Sequence, residues 1–262
     1  MNLYADLRWP AFAERYASDL NAFARDVCSI DLGERMTDAA GAVGRRLVIH
    51  NAGTRERQGV VLAVMALWHI ATHPQSTTVL GYPLGSACQA NQAIGQLLAH
   101  IRTGSHYWLA RGIKHRAGGW FAGGGLRSTI ELRRLTTKDT EAAHGFYLES
   151  LLWLVEDGDR LPGACLEAIL STMTRPGNGL AVACDWYVPR SLMSMVRARS
   201  ATPWSLVDMG QSARPAPAQQ HERYQVEVRE FIELVAGRPL TRLQADYLAD
   251  LLQERPAAQT PA

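Results

Sequence analysis

Hydrophobic residues in this chain follow two different spacings, which alternate between residues 16 and 207. Apolar side chains that recur every three or four positions predict amphipathic helices, and short continuous apolar runs predict strands covered on both faces. The predicted helices are residues 16–29, 33–43, 59–72, 86–101, 162–173 and 189–198. The predicted strands are residues 46–50, 77–81, 126–132, 151–155, 179–184 and 204–207.

This alternation of strands and helices predicts the fold class. Strands joined by helices pair in parallel through right-handed crossovers, which gives an α/β domain with a mostly parallel sheet flanked by helices. The domain is predicted to occupy residues 1–209. The segment 104–125 is rich in Gly and aromatic residues, fits neither spacing and receives no predicted element.

The composition of the chain changes after residue 209. Residues 210–220 contain two prolines and few apolar side chains, which is typical of a linker. Two short amphipathic helices, within residues 221–255, predict a C-terminal helical hairpin, and residues 256–262 are predicted to be a disordered tail. A helix-turn-helix and an oligomerisation hairpin both fit this pattern. Helices this short rarely fold alone, so we expect the hairpin to dock on the main domain or on a partner.

Charge and cysteine content exclude several functional classes. The formal net charge of +2 over 262 residues does not favour bulk binding to nucleic acid or membranes. No signal-peptide core opens the chain, and the most apolar stretch, residues 60–70, is too short to span a bilayer. No two cysteines form a C-x-x-C pair, so buried free thiols are expected rather than a zinc or redox motif; they are Cys28, Cys88, Cys165 and Cys184.

Candidate chemistry lies between the strand at 46–50 and the helix at 59–72. A strand, a loop of this length and a helix are the setting of a P-loop, whose G-x-x-x-x-G-K-S/T motif binds phosphates and Mg²⁺. Ala52, Gly53 and Arg57 lie in this window, but Gln58 and Gly59 occupy the positions of the Lys and of the hydroxyl residue. The sequence therefore predicts a P-loop NTPase-like fold with a vestigial nucleotide-binding loop.

Two acids, Glu156 and Asp157, directly follow the apolar run at 151–155. Carboxylates at the carboxyl end of a strand occupy the edge where open α/β sheets bind ligands, so we interpret them as vestigial catalytic acids. Ordinary loop acids are the alternative.

A basic cluster lies near the Gly-rich segment and consists of Arg127, Arg133, Arg134 and Lys138. We interpret it either as nucleic-acid contacts or as a solvated strand edge. His106 and His115 have no metal-ligand spacing, and no metal site is predicted.

The order of these features over residues 16–207 resembles the ATPase domain of phage large terminase subunits, the motors that pump DNA into procapsids. Four further stretches, in order, carry the resemblance beside the loop: Ala66-Leu67-Trp68-His69-Ile70, the strand ending at Tyr82-Pro83, the apolar run with its acids at 151–157, and residues 172–178 before the next strand.

Each functional position departs from the pattern of that family. The family's Asp-Glu pair is reversed to Glu156-Asp157, and phosphoryl transfer depends on positioning at the ångström level. No Gln precedes Gln58 to read adenine, and Asp185 is the best match to the family's coupling Asn. About 55 residues follow Val207, too few for the family's nuclease domain.

The resemblance implies a catalytically impaired terminase-like protein, a pseudo-ATPase in the cytoplasm of a bacterial host. It would be a structural or regulatory binding factor in phage or mobile-element DNA packaging or processing. Expected partners are terminase subunits, a portal or DNA, with homo-oligomerisation open, no membrane, and no cofactor beyond weak Mg²⁺-ATP. One alternative is an active NTPase in which Arg55 or Arg57 replaces the missing Lys. The other is a DNA-binding regulator that uses the C-terminal helices.

Overall fold

The computed structural model describes residues 2–33, 36, 46–50, 55–83, 85, 87–116, 118–123, 127–136, 149–184, 192 and 204–209. All of them belong to one compact unit, Met1–Ser212. The linker, hairpin and tail predicted over 210–262 lie outside these residues, as do nearly all of the predicted helices at 33–43 and 189–198, so these assignments stay predictions.

The described helices and strands alternate along most of the chain. The helices are α1 (Trp9–Tyr16), α2 (Leu20–Cys28), α3 (Arg55–Thr72), α4 (Gln89–Ile101), α5 (Tyr107–Gly112) and α6 (Gly163–Thr172). The strands are β1 (Arg46–His50), β2 (Thr77–Pro83), β3 (Ile113–Arg116), β4 (Gly119–Ala122), β5 (Ser128–Leu135), β6 (Leu151–Val155), β7 (Gly179–Ala183) and β8 (Trp204–Asp208).

The strands form one sheet in the order β3-β4-β5-β2-β6-β7-β1-β8. All neighbours pair in parallel except β3 with β4 and β4 with β5, which confirms the predicted α/β class. All five residues of β6 are buried between β2 and β7, as predicted for a central strand. Helices α1 to α5 pack on one face of this sheet and α6 on the other.

Helix α3 is the centre of the larger core, because every residue from Val61 to Thr72 is buried. His69 joins this helix to the start of two strands: its Nδ1 lies 2.8 Å from the Thr78 hydroxyl and its Nε2 lies 3.2 Å from the Ser150 hydroxyl. Burial, together with nearby His73, holds the pKa of His69 well below its ordinary value, so the ring is neutral. No helix in the described part of the chain is long and apolar enough to cross a bilayer.

The last turn of α3 is capped by aromatic side chains from the N-terminal segment. The hydroxyl of Tyr4 donates to the carbonyl of Ile70 at 2.7 Å, and the indole N–H of Trp9 donates to the carbonyl of Ala71 at 2.8 Å. Carbonyls in a final turn have no partner within their own helix. These two bonds satisfy them and fix the N-terminal segment on the core.

Some sequence-based assignments differ from the structure. The helix predicted over 16–29 begins only at Leu20, because Asp19 leaves the helical conformation and caps α2 by accepting the N–H of Ala22 at 2.8 Å, and Tyr16 is the last residue of α1. The unassigned segment at 104–125 contains α5 and the antiparallel hairpin β3–β4. This hairpin turns through Gly118 (φ +90°) and Gly119 (φ +152°), a conformation that favours glycine.

Candidate functional site

Glu156, the first acid after β6, forms hydrogen bonds to the N-terminus of helix α4. Its side chain is buried, and its carboxylate accepts the backbone N–H of Gln89 at 3.0 Å and the backbone N–H of Ala90. The thiol of Cys88 donates to the same carboxylate at 3.5 Å. Cys88 is the N-cap residue of α4 and gives the helix no side-chain cap, so Glu156 supplies one from the neighbouring strand.

The environment of Glu156 shifts its ionisation. Burial is the largest cause and raises the pKa of the carboxyl, while the bonds from Ala90 and Gln89 offset part of that shift. The carboxyl group lies at a helix N-terminus and uses both of its oxygens for protein contacts.

Asp157, the second acid, occupies a left-handed backbone conformation with φ +47° and is also buried. Asp adopts this region more readily than most residues. The chain then passes so close to β7 that a Cβ on Gly158 would collide with Val182 and Cys184. The turn after β6 is therefore shaped by packing against β7.

The vestigial loop window falls partly inside α3. Ala52 and Gly53 lie outside the described residues, whereas Arg57, Gln58 and Gly59 lie in the first two turns of α3, which begins at Arg55 rather than at 59. The Gln58 side chain is 1% exposed, and neither its amide nitrogen nor its amide oxygen has a hydrogen-bond partner among the described residues.

The position of Gln58 follows from helix geometry. It lies eleven residues before His69, which places the two on one stripe of α3 about 16 Å apart along the axis. His69 contacts Thr78 and Ser150 at the amino ends of β2 and β6. Gln58 therefore lies toward the carboxyl ends of these strands, on the sheet-facing side of α3.

Gly59 lies at a point of close approach between α3 and α4. A Cβ at Gly59 would lie 2.6 Å from the Cβ of Gln89, 2.8 Å from its carbonyl carbon and 3.0 Å from the backbone nitrogen of Ala90. Backbone atoms of a buried helix cannot yield easily. A Ser or Thr therefore does not fit at the position where a P-loop needs its hydroxyl, and the residues present do not match Mg²⁺-ATP.

No known family model and no curated protein matches this sequence. Among solved structures, the ATPase domain of the large terminase of Thermus phage P74-26 aligns with a TM-score of 0.51 at 10% identity over 84% of this chain and 93% of that domain. A point mutant of that domain aligns with the same TM-score, 0.51, at 11% identity over 79% and 91%. The chain has the fold of a large terminase ATPase domain.

A third structure, the large terminase of the thermophilic bacteriophage D6E in complex with ADP, has a TM-score of 0.44 at 14% identity and covers 73% of this chain. The aligned part is 47% of that longer protein. At identities of 10–11%, the two alignments with the Thermus phage domain establish the terminase-like fold alone.

A cleft opens beside the first turn of α3 in this terminase-like fold. It has a volume of about 450 Å³, and Arg57 lines it together with residues that the sequence did not single out. These residues are Ser29, Ile30, Asp31, Leu32, Glu56, Val60, Val61 and Met209. The cleft combines apolar walls with one arginine, Arg57, and two acids, Asp31 and Glu56. No sequence pattern links segments so far apart in the chain.

The predicted basic cluster is not gathered at one place. Arg133 pairs with Glu131 at 2.7 Å, and Arg134, the next residue of β5, projects to the opposite face of the strand. Lys138 lies outside the described residues. Arg127 instead lies over the ring of Phe121, 5.0 Å from its centroid.

The structure also places the cysteines and the two histidines considered in the sequence. All four cysteines are buried free thiols, as predicted. His106 packs against Phe12 and Tyr16, and exposed His115 lies against Trp120. Within the described ranges, no group of three His, Cys, Asp or Glu side chains is arranged to hold a metal ion.

Proposed function

We propose that this chain is a terminase-like pseudo-ATPase, a structural or regulatory binding factor in phage or mobile-element DNA packaging or processing. The contact of Gly59 with the first residues of α4 carries the proposal, since it leaves no room for the hydroxyl residue of a P-loop. The fold supports the association with packaging proteins, because the similar structures are large terminases.

The lysine position supports the same conclusion. Gln58 is neutral, and its side chain is buried. A P-loop lysine binds phosphate as a charge, and a hydrogen bond to a charged group contributes about 1.5–3 kcal/mol. Loss of that group, together with loss of the hydroxyl, removes most of the specific affinity for the β- and γ-phosphates.

The acids support it further. Catalysis of phosphoryl transfer needs a carboxylate positioned at the metal or at the attacking water. Glu156 uses its carboxylate to cap α4, which leaves it aimed at backbone N–H groups. Asp157 follows in a left-handed turn that Gly158 packs against β7.

An active NTPase with a divergent loop is the second candidate. The cleft beside α3 favours it, because Arg57 lines a space of about 450 Å³ at the start of that helix. In this alternative the guanidinium of Arg57 takes over the phosphate contact of the missing lysine.

Turnover of radiolabelled ATP by the full chain separates the two candidates. The proposal predicts no hydrolysis above the buffer rate for the parent protein and for the Arg57→Ala variant. Hydrolysis by the parent that disappears in Arg57→Ala, but persists in the surface control Arg175→Ala, would overturn the proposal in favour of the second candidate.

The binding role needs a separate assay. Tagged full-length protein, co-expressed with the terminase subunits and portal of its host element, is expected to retain at least one of them. Retention of none of these proteins would contradict the proposed role even if ATP is not hydrolysed.

A further inference from the structure

The hairpin β3–β4 at the outer end of the sheet has two unlike faces. In the register of the hairpin, His115 lies opposite Trp120, and the Trp120 indole donates to the Asn91 side chain of α4 at 2.8 Å. The other face carries Lys114 opposite Phe121, and Arg116 opposite Gly119. Trp120 therefore anchors one face on α4, while the cationic face points away from that helix.

The cationic face forms a concave surface. A cleft of about 420 Å³ is lined by Lys114, Arg116, Phe121 and Arg127, and none of its lining residues in the described part of the chain is an acid.

The two guanidinium groups are held in place by the ring of Phe121. Arg127 lies 5.0 Å and Arg116 lies 5.8 Å from its centroid. Neither arginine forms an ion pair with a described residue, and the nearest acid on β5, Glu131, is paired with Arg133. A guanidinium that contacts a ring through its face keeps its in-plane N–H donors available for an anionic group.

We propose that this hairpin face binds single-stranded nucleic acid, with phosphates on Lys114, Arg116 and Arg127 and a base against Phe121 or a stacked guanidinium. Lys114 and Arg116 project from the same side of β3, about 6.6 Å apart, which allows contacts to successive phosphates. The ring of Phe121 is half-buried and lines the cleft. Bases of a single strand reach such a ring, whereas bases of a duplex are stacked and paired out of reach.

Fluorescence anisotropy of the full-length protein with a labelled oligo(dT) of about 12 nucleotides, in a salt series, tests this site. The variant Arg116→Ala/Arg127→Ala is compared with Arg102→Ala/Arg175→Ala, which removes two exposed arginines elsewhere. The cleft variant is expected to bind at least about tenfold more weakly, with a salt slope shallower by about 1.4. The control variant is expected to bind like the parent. Equal binding by the two variants would overturn the proposal.

Two further measurements test the base contact and the strand preference. Phe121→Leu is expected to weaken oligo(dT) binding about tenfold without changing the salt slope, while Phe121→Tyr retains binding. A duplex of the same length that binds as tightly as the single strand would overturn the single-strand assignment. So would an acidic peptide that binds the cleft while oligo(dT) does not. None of these results depends on nucleotide hydrolysis, so this site and the proposed function can fail separately.

Discussion

The buried carboxylate of Glu156 accepts the backbone N–H of Ala90 and so joins the end of β6 to the first turn of α4. The second oxygen accepts the N–H of Gln89 at 3.0 Å. One side chain thus satisfies two N–H groups that the helix itself cannot satisfy. It also occupies the edge of the sheet at which a catalytic acid would stand.

Removal of this cap should lower stability. Glu156→Ala leaves the N–H groups of Gln89 and Ala90 without their acceptor, and a buried unsatisfied donor costs about 1–3 kcal/mol. Urea unfolding is expected to show a loss of about 2–3 kcal/mol. Glu167→Ala, an exposed substitution on α6, should change stability by less than about 0.5 kcal/mol. Equal stabilities of the two variants would contradict the capping role.

The raised pKa of Glu156 predicts a pH dependence of defined sign. The native carboxyl holds its proton above the ordinary pKa of 4.5, so the stability it contributes is greatest below pH 4.5 and is lost as pH rises through the folded-state pKa. Glu156→Gln cannot titrate at this position. From pH 4.5 upward through the folded pKa, the parent should therefore lose unfolding free energy relative to Glu156→Gln. A difference that stays constant over this range, or grows in favour of the parent, would show that burial does not dominate this site.

The helix contact at Gly59 is tested by a pair of Gly→Ala substitutions. Gly59→Ala places a Cβ 2.6 Å from Gln89, and such overpacking typically costs about 1–3 kcal/mol. Gly95→Ala in α4 meets only the Trp120 ring at 3.8 Å, so it should be neutral or stabilise by up to about 1 kcal/mol through helix propensity. Thermal melts of both variants provide the comparison. If Gly59→Ala melts at or above the parent, the argument against a P-loop hydroxyl fails.

The aromatic cap of α3 predicts a smaller effect. Tyr4→Phe removes the donor to the Ile70 carbonyl but keeps the ring, and a hydrogen bond of this kind contributes about 1 kcal/mol. Tyr107→Phe is the matched control, since the one bond of the Tyr107 hydroxyl to a described residue is long, 3.5 Å, and comes from exposed Arg8. Denaturant midpoints should fall for Tyr4→Phe and stay unchanged for Tyr107→Phe. A similar shift in both variants would show that loss of a tyrosine hydroxyl lowers stability at either position, which would contradict a specific role of Tyr4 in the cap.

The parallel core of the sheet could be predicted from the sequence because β1, β2, β6 and β7 are continuous apolar runs with a strong local signal. The hairpin β3–β4 could not, since each strand has four residues and its turn depends on Gly118 and Gly119. Its exposed Lys114 and Arg116 give no apolar periodicity either.

The candidate site divides in the same way. The sequence shows that Glu156 follows an apolar run and that Gln58 stands in place of a Lys. The hydrogen bonds that Glu156 accepts from Gln89 and Ala90 could not be predicted, because they join residues 67 and 66 positions apart in the chain. The lack of space at Gly59 was hidden for the same reason, since the obstacle is another helix.

Isothermal titration calorimetry of Mg²⁺-ATP into the full-length protein tests the central claim most directly. Gln58 and Gly59 provide neither the charge nor the hydroxyl of a P-loop, so no saturable heat is predicted at micromolar ATP. A one-to-one isotherm with micromolar affinity, abolished by Arg57→Ala, would contradict the pseudo-ATPase account and establish a divergent nucleotide site.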